Sequence, residues 1–494
     1  MQVIKLRMKD YAMLQLTECE PHIVTELSEH FTFEVPGAKF MPAVKRRVWD
    51  GKIRMLDRTT GQINAGLYWA IKKFCMERGY GMKVEEGPYG FPYDTNKVNH
   101  MKTMQWLDTL SMPYKPRDYQ YDALTHAIKY KRAILLSPTG SGKSFIIYML
   151  MRWYLENRQA GKKILLIVPT TSLVEQMYSD FKDYGFDVDN NCHRIYSGKD
   201  KETDKDIIIT TWQSIYKLHP VWFHNFGCIF GDEVHGFKSK SLSSIMNKAV
   251  NAEYRFGTTG TLDGTQVHKL VLEGLFGPVH RVTTTHELQQ KDTLAKLNID
   301  ILLLQYSKEQ CKEMEGKTYQ EEIDFIVSNE RRNKFIANLA TDRIGNTLVL
   351  FNLVDRHGKV LRDLIEAKLK DGQRLFYVSG ETKTSDREQI RNIVEKQTNS
   401  IILASLGTFS TGINIKNIHN IIFASPSKSQ IRVLQSIGRG LRKSDDGSDA
   451  HLFDIADDLH WKTRKNFTLL HSVERVKIYN NEKFPYKITK IGIE

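Results

Sequence analysis

The chain has 494 residues, 41% of them hydrophobic, so it is long enough for about two to four globular domains and too apolar to be disordered. Its longest uncharged apolar runs, such as Thr347–Val354, fall short of the roughly 18 residues that span a bilayer, and its first residues contain no secretory signal. These features predict a cytoplasmic protein with no membrane partner.

Charge and cysteine content narrow the class of protein further. The net charge of +13 favours polyanionic partners such as nucleic acid. The five cysteines form no Cys-x-x-Cys pair, which argues against a zinc site or a disulfide framework.

Residues 1–112 predict a small α+β domain with a basic segment. Short strand-like pieces alternate with Gly and Pro, and a helical pattern follows near Leu67–Arg78. The segment 39–58 has seven basic residues and two acidic ones. The basic residues of this segment either bind DNA or form a solvated basic face. For Trp49, we expect a place in the core of the small domain and not stacking on a base. The candidate contacts to duplex phosphates are Lys45, Arg46, Arg47 and Lys52.

Residues 113–450 carry the alternation of strands and helices that is typical of α/β domains. Short apolar runs bounded by turn residues predict buried parallel strands. The predicted strands are 132–136, 163–168, 206–210 and 228–230, and then 347–351, 374–378, 400–404 and 420–424. We therefore expect two tandem doubly wound parallel-sheet domains, 113–295 and 296–450, with ligand sites at the carboxyl ends of the strands. Residues 451–494 are set apart as a short basic C-terminal extension.

A phosphate-binding loop is predicted between the strand 132–136 and the helix after it. Small residues let backbone N–H groups turn toward phosphate oxygens, and the positive end of the helix adds to their field. We expect Lys143 to hold the β- and γ-phosphates and the Ser144 hydroxyl to bind Mg²⁺. The strict pattern has glycine where this chain has Ser137, so a simple Gly-Ser turn stays open as an alternative. The nucleotide-binding residues are Thr139, Gly140, Ser141, Gly142, Lys143 and Ser144.

Two acidic residues, Asp232 and Glu233, follow the predicted strand 228–230. A P-loop ATPase needs a carboxylate at a neighbouring strand end to hold the Mg²⁺ shell, and Asp232 fits that role. Glu233 is placed to orient or deprotonate the attacking water. Two adjacent acids alone are more often a solvated strand end, but the upstream loop favours a site. The sequence therefore predicts ATP and Mg²⁺ as cofactors.

Further motifs resemble, in their order, those of the superfamily 2 helicases and translocases. They are Arg117-Asp-Tyr-Gln120 for adenine recognition, Pro169-Thr170 and Thr211-Trp212-Gln213 for the nucleic-acid backbone, Asp232-Glu-Val-His235 as the DExH box, Thr259-Gly-Thr261 for coupling, Ser410-Thr-Gly412-Ile-Asn414 as the fifth motif and Gln435-Ser-Ile-Gly-Arg439-Gly-Leu-Arg442 as the sixth. The resemblance covers about residues 117–442 and implies two RecA-like domains that hydrolyse ATP. It also implies that Arg117, Gln120, Gly412 and Asn414 contact the nucleotide.

The sixth motif implies catalytic arginines. Arg439 and Arg442, three residues apart, share one helix face. Arginine that neutralises charge developing on the γ-phosphate can contribute about 10³–10⁵ in rate. A surface ion-pair role is the alternative for an isolated pair of arginines.

Further segments, one of them within residues 296–450 and the others outside the motor, resemble the UvsW-type recombination helicases of bacteriophages. They are Val48-Trp-Asp-Gly-Lys-Ile-Arg-Met-Leu-Asp57, Gly66-Leu, Ile71-Lys-Lys-Phe-Cys75, Lys317-Thr-Tyr-Gln-Glu-Glu322 and Glu482-Lys-Phe. The resemblance implies an ATP-dependent DNA helicase that remodels branched or forked DNA by branch migration, fork regression, unwinding and annealing, in recombination, repair and replication. It implies the host cytoplasm as location and recombination or single-strand-binding proteins as candidate partners. The oligomeric state stays open, with a monomer favoured.

Three other functions fit the same motor residues. An RNA helicase is one, because the core motifs contact the backbone and tolerate either sugar. A duplex-DNA translocase subunit of a nuclease complex is the second, with the nuclease on a partner chain. A non-catalytic nucleic-acid scaffold is the third, and the complete set of Lys143, Asp232, Glu233, Arg439 and Arg442 argues against it.

Overall fold

The computed structural model describes residues 2–93, 95, 98–196, 198, 200–237, 240–262, 265–412, 415, 417–425, 429, 433–434, 436–438 and 449–493. The chain divides into two units, one made of residues 1–137 and 142–282 and the other of residues 138–141 and 283–494. Across the part of the chain that is described, no helix has the length and apolar character needed to cross a bilayer.

The first unit begins with a small α+β domain, as expected. Its strands are β1 (Val3–Met8), β2 (Met13–Glu18), β3 (Thr32–Glu34), β4 (Lys52–Arg54), β5 (Gln62–Asn64) and β6 (Gly81–Val84), and its helices are α1 (Pro21–His30), α2 (Pro42–Lys45) and α3 (Tyr68–Arg78). A mixed sheet has the order β5-β2-β1-β6, and β3 pairs with β4 in a separate ribbon. The predicted helix near Leu67–Arg78 is confirmed, and it buries Ile71, Phe74 and Cys75 at the spacing of one helix face.

A seven-stranded parallel sheet makes up the rest of the first unit. Its strands are β7 (Arg132–Leu136), β8 (Lys163–Val168), β9 (Cys192–Ile195), β10 (Ile207–Thr211), β11 (Phe226–Asp232), β12 (Tyr254–Thr259) and β13 (Val279–Arg281), in the order β13-β7-β12-β11-β8-β10-β9. The predicted strands 132–136 and 163–168 are confirmed unchanged, 206–210 lies at 207–211, and 228–230 lengthens to 226–232.

Helices flank this sheet because the chain must cross over between parallel strands. They are α4 (His100–Asp108), α5 (Asp118–Tyr130), α6 (Lys143–Asn157), α7 (Thr171–Asp183), α8 (Val188–Asn191), α9 (Trp212–Ile215), α10 (Pro220–Phe223), α11 (Lys240–Lys248) and α12 (Gln266–Phe276). Helix α6 buries eight of its fifteen residues, so the segment after the phosphate loop lies deep in the core.

A glycine joins the small domain to the parallel-sheet domain at very close range, because a Cβ on Gly66 would lie 1.9 Å from the Glu273 carbonyl oxygen of α12. A second glycine, Gly277, packs the end of α12 on β7, where its Cβ would lie 2.7 Å from Arg132 Cβ. Polar contacts support the junction: the Tyr11 amide donates to the Val250 carbonyl at 3.0 Å, and the Tyr11 carbonyl accepts from Arg132. Backbones this close permit no side chain larger than hydrogen.

The second unit contains another seven-stranded parallel sheet. Its strands are β14 (Leu297–Gln305), β15 (Thr347–Phe351), β16 (Arg374–Val378), β17 (Ser400–Ser405), β18 (Asn420–Phe423), β19 (Ala450–Asp458) and β20 (Tyr486–Gly492), in the order β16-β17-β15-β18-β19-β14-β20. Its helices are α13 (Thr285–Gln290), α14 (Lys308–Glu313), α15 (Tyr319–Ser328), α16 (Glu330–Thr341), α17 (Lys359–Glu366), α18 (Thr384–Glu395), α19 (Leu406–Gly412) and α20 (Phe467–Asn481).

Strand prediction in the second unit holds well up to residue 424. The predicted strands 347–351 and 374–378 are confirmed, 400–404 extends to 405, and 420–424 ends at 423. Residues 451–494, set apart by the sequence as an extension, supply β20 and most of β19 to this sheet. The domain boundaries themselves stay predictions.

Buried ion pairs explain how the aspartates of strand β19 are accommodated in the core of the second unit. The fully buried Asp457 carboxylate lies 2.7 Å from Arg332 Nε and accepts from the Tyr306 hydroxyl at 2.8 Å. Asp454, also buried, lies 2.7 Å from Arg475 Nη2. A charge inside a protein is tolerated only when paired and hydrogen-bonded, so these arginines allow the aspartates on a central strand.

Replacing Gly66 with valine tests the glycine junction. We expect Gly66→Val to lower the free energy of unfolding by about 1–3 kcal/mol or more, because its Cβ would collide with the backbone of α12. The melting temperature measures this, with Gly87→Val as the control, since a Cβ at Gly87 meets no described atom within 4 Å. Equal melting temperatures for the two variants would contradict the prediction.

Candidate nucleotide and nucleic-acid site

The predicted site residues of the first unit lie at one edge of its sheet. All neighbouring strands of that sheet pair in parallel, so their carboxyl ends share an edge. The phosphate loop follows β7, Pro169-Thr170 follows β8, Thr211 ends β10, Asp232 ends β11 and Thr259 ends β12. Five motifs that are separate in the sequence therefore lie along the same edge of the sheet.

The phosphate loop has the backbone that a bound phosphate requires. Gly140 and Gly142 have φ of +83° and +82°, a region that glycine adopts without strain. Helix α6 starts directly afterwards at Lys143, with its N-terminus at the loop. The Ser141 hydroxyl donates to the Pro138 carbonyl at 2.7 Å and stiffens the turn.

Ser137 replaces glycine in this loop without backbone strain. Its φ is not positive, so its position does not require glycine. Its amide donates to the Thr259 carbonyl at 2.9 Å, and its carbonyl accepts from Lys143 Nζ at 3.4 Å. The loop is therefore more than a simple turn before a helix, because it positions the lysine.

Lys143 and the two acidic residues come together. Lys143 Nζ lies 3.8 Å from Glu233 Oε1. Asp232 is buried, and its Oδ1 accepts a hydrogen bond from the Thr258 hydroxyl at 2.7 Å. Burial raises the pKa of Asp232, and the neighbouring Glu233 carboxylate raises it further, whereas Lys143 lowers it. The site thus holds two carboxylates against one lysine.

These residues fit Mg²⁺ by the chemistry of their donors. The Ser144 hydroxyl and the Asp232 carboxylate supply oxygen atoms, which Mg²⁺ prefers. The raised pKa of Asp232 reflects uncompensated negative charge in a buried place, which a bound cation relieves. The Ser144 hydroxyl lies 2.8 Å from the Tyr184 hydroxyl in this structure.

Glu233 has an unusual backbone and a network of its own. Its φ and ψ are both 50°, the left-handed region that costs a residue with a side chain about 1–2 kcal/mol. Strain of this kind clusters at functional sites. Its Oε2 lies 3.2 Å from His235 Nδ1, which lies 3.1 Å from the Thr259 hydroxyl. The DExH residues therefore contact the predicted coupling motif directly.

The predicted adenine motif lies beside the phosphate loop. The Gln120 side chain accepts from the Arg117 amide at 2.9 Å at the start of α5. A Cβ added to Gly142 would lie 2.5 Å from Gln120 Nε2. Gln120 and Gly142 are therefore in close contact, and Arg117 is fixed at the end of the same helix.

The predicted backbone-binding residues lie at the starts of helices at the same sheet edge. Thr170 caps α7 by accepting from the Leu173 amide at 3.4 Å. The Thr211 and Ser214 hydroxyls lie 3.0 Å apart at the start of α9. Trp212 is half-buried against the core, and Gln213 is exposed. Of this pair, Gln213 is the more accessible side chain.

Three predicted residues of the second unit, Asn414, Arg439 and Arg442, lie outside the described residues. Gly412 is the last residue of α19, which follows β17 at its carboxyl end. The roles of these four residues stay predictions.

The basic segment of the small domain is exposed, as a DNA contact requires. Lys45, Arg46, Arg47 and Lys52 lie on α2, the turn after it and β4. Within the described chain, no ion pair joins these four side chains to a carboxylate. By contrast, the Arg54 guanidinium lowers the pKa of Asp50 to about 2.

Trp49 is not the core residue that we expected. Its side chain is half-buried and is not part of the hydrophobic core of the small domain. The indole N–H donates to the Lys52 carbonyl at 2.9 Å, and this hydrogen bond holds the Trp49 ring on the turn.

Sequence reasoning missed two contacts of the site. Thr258, which holds Asp232, precedes the coupling motif by one position and carries no pattern of its own. Tyr184, next to Ser144, lies far along the chain from it, and only the fold brings them together.

Comparison with protein families defines the class. Three family models match: "Type III restriction enzyme, res subunit" over residues 113–264, "Helicase conserved C-terminal domain" over residues 330–444 and "DNA helicase UvsW, N-terminal" over residues 3–85. Together with the two RecA-like sheets, they make the chain a helicase of superfamily 2, which confirms the predicted class and fold.

Individual relatives give the family. The chain is 35% identical to the ATP-dependent DNA helicase uvsW of Enterobacteria phage T4, over 99% of this chain and all of that protein. The crystal structure of T4 UvsW matches with a TM-score of 0.52 over 99% of this chain and 100% of that one. A DNA 3'-5' translocase, XPB2 of Sulfurisphaera tokodaii, is 24% identical over 69% of this chain and 82% of its own length. The chain belongs to the UvsW family of DNA helicases.

Removing the Thr258 hydroxyl tests its role at Asp232. We expect Thr258→Val to lower kcat or the apparent Mg²⁺ affinity about 10–100-fold, because a ligand loses the partner that orients it. ATPase rates titrated with Mg²⁺ measure this. Thr210→Val is the matched control, since its buried hydroxyl bonds the Ile195 carbonyl at 2.9 Å. A similar loss in both variants would show a general packing defect instead.

Proposed function

We propose that this helicase remodels branched DNA by branch migration, fork regression, unwinding and annealing, in recombination, repair and replication. One observation carries the proposal: the similarity to the phage T4 helicase extends over the whole chain, including the small domain outside the motor. A chain with the motor alone would share only the two parallel sheets.

For ATP hydrolysis, we propose roles for the residues at the sheet edge. Lys143 holds the β- and γ-phosphates, with the loop amides of residues 139–144 around them. Ser144 and Asp232 would hold Mg²⁺, which would neutralise phosphate charge. Glu233, held by His235 and Thr259, orients the attacking water and accepts its proton. Arg439 and Arg442 stabilise the charge that develops on the γ-phosphate.

For DNA, we propose two contact regions in the first unit. The first is the sheet edge, where Pro169, Thr170, Thr211, Trp212 and Gln213 contact the strand backbone. The second is the exposed basic turn with Lys45, Arg46, Arg47 and Lys52. Cationic side chains without carboxylate partners are free to replace the counterions of a duplex. Two separate contact regions suit a junction, which presents more than one arm.

The same family resemblance suggests a cellular location and partner proteins. We propose a monomer in the host cytoplasm, working with recombination or single-strand-binding proteins.

Substrate preference tests the proposed function. We expect ATP-dependent processing of a four-way junction and a fork to exceed that of a simple duplex, and Lys143→Ala to abolish it. Gel-resolved product formation measures this, with ATPase rates in parallel. Equal inactivity on all DNA, or stimulation of the ATPase by RNA and not by forked DNA, would reject the proposal.

Charge reversal tests the basic turn. We expect Arg46→Glu, Arg47→Glu and Lys52→Glu together to weaken junction binding and to lower the salt slope by about 0.9 for each phosphate that the turn no longer neutralises. Binding titrations at several salt concentrations give both quantities. Lys334→Glu, Lys368→Glu and Lys370→Glu, which change the net charge equally at exposed positions of the second unit, are the control. If the control lowers the slope as much, the turn is not a specific contact.

A further inference from the structure

A small cavity opens in the first unit at the junction between the small domain and the parallel sheet. Its volume is about 100 Å³. Five of its twelve lining residues are aromatic, and Arg132 and Gly277 lie at the sheet side. The aromatic rings contact one another in series: the centroids of Tyr68 and Phe91 are 4.8 Å apart, and those of Trp69 and Tyr130 are 6.2 Å apart. Trp69 is 42% exposed, so the cavity is open at that side.

A buried arginine with spare donors lines this cavity. Arg132 is only 5% exposed, and its Nη2 donates to the Tyr11 carbonyl. Its Nε and Nη1 are buried and make no hydrogen bond of good geometry among the described residues, although the buried Tyr93 hydroxyl lies beside the guanidinium. Leaving a charged group unsatisfied in a protein interior costs more than leaving a neutral one. The cavity therefore presents donors that a ligand can satisfy.

The charges around Arg132 favour an anion. Arg255, fully buried nearby, donates to three backbone carbonyls, and burial together with the Arg132 charge lowers the pKa of Arg255. The carboxylates of this region are engaged elsewhere: Glu253 pairs with Lys131, and Asp10 accepts from the Ala12 and Met13 amides. Neither guanidinium forms an ion pair with a carboxylate of the described chain, although the Asp10 charge acts on Arg255.

The rim of the cavity adds positive charge over aromatic faces. Lys72 Nζ lies 5.2 Å from the Trp69 ring centroid, and Lys129 Nζ lies 5.7 Å from that of Tyr130. A ligand with acidic groups around an aromatic ring complements both the rim and the interior.

Position separates this cavity from the nucleotide site and from the proposed strand contacts. Arg132 is the first residue of β7, whereas the phosphate loop follows its last. Five residues of extended chain place the two about 15 Å apart, at opposite edges of the sheet. The proposed strand contacts lie at the loop edge. An occupant of the cavity therefore need not leave when the motor moves on DNA, which favours a protein over the DNA itself.

The size of the cavity limits the occupant to one ring. A closed cavity of about 150 Å³ holds a benzene molecule, so about 100 Å³ with an open side takes the ring of one side chain.

We propose that this cavity binds a peptide segment of a partner protein, in which an aromatic side chain is flanked by carboxylates. The ring enters the cavity and packs against its wall of Trp69, Tyr68 and Phe91, and a carboxylate accepts hydrogen bonds from Arg132. Neighbouring acidic residues of the peptide lie near Lys72 and Lys129.

Fluorescence anisotropy with a labelled peptide tests the site in the full-length protein. The probe is the amidated peptide Gly-Asp-Asp-Phe-Asp-Gly, for which we expect a Kd of about 10–100 µM, the range for one buried ring and charge-assisted hydrogen bonds. We expect replacement of Phe by Ala, or of the Asp residues by Asn, to weaken binding at least about 10-fold.

Protein variants locate the peptide. We expect Trp69→Ala to weaken binding about 5–10-fold and Arg132→Gln to remove the preference for Asp over Asn peptides. Tyr319→Ala, with similar exposure of 43%, is the matched control and leaves the affinity unchanged. Circular dichroism shows whether Arg132→Gln folds, and Trp69→Ala tests the site independently, because its side chain is at the rim. DNA-stimulated ATPase stays at the unmodified rate in Trp69→Ala.

Three outcomes overturn the proposal. One is no binding of the probe up to about 1 mM. Another is equal binding of the Asp and Asn peptides. The last is displacement of the probe by a single-stranded oligonucleotide together with weaker oligonucleotide binding by Trp69→Ala, which assigns the cavity to nucleic acid. None of these results depends on whether the helicase prefers branched DNA.

Discussion

Parallel pairing of the strands is the constraint on which this structure depends. In the first unit it aligns the carboxyl ends of β7, β12 and β11, so that the phosphate loop, Thr259 and Asp232 share one edge. Parallel strands need crossover connections, which helices supply on the faces of the sheet. The start of α6 then delivers Lys143 to the same edge. Motifs far apart in sequence become neighbours for this reason alone.

Electrostatics at that edge explains why the groups are buried together. Lys143 lies 3.8 Å from Glu233, but one lysine does not balance two carboxylates in a place of low polarity. Burial raises the pKa of Asp232, and the Glu233 carboxylate raises it further. A site of this kind is preorganised to bind a cation together with a phosphate. ATP hydrolysis by a helicase requires both. The left-handed backbone of Glu233 is compatible with the same role.

Close packing between the small domain and the first parallel-sheet domain distinguishes this chain from a helicase that has the motor domains alone. Gly66 lets the small domain contact α12 of the parallel-sheet domain without an intervening side chain, and Gly277 lets the end of α12 pack on β7. The same junction buries Arg132 and leaves the aromatic cavity beside it. In the second unit, Arg332 and Arg475 neutralise the aspartates of β19. Both features are consequences of packing between segments that are distant in the sequence.

The sequence by itself determined the class of the protein, its parallel sheets and the motifs of its site, because buried strands read as apolar runs and phosphate loops have local patterns. It identified Lys143, Asp232 and Glu233 as candidates from those patterns alone. Only the tertiary structure decided the partners of these residues, such as Thr258, because long-range contacts leave no local spacing. It alone placed β19 in a core despite its aspartates, since their arginines come from other helices. It also moved Trp49 out of the core, because a hydrogen bond within its own turn holds the indole there.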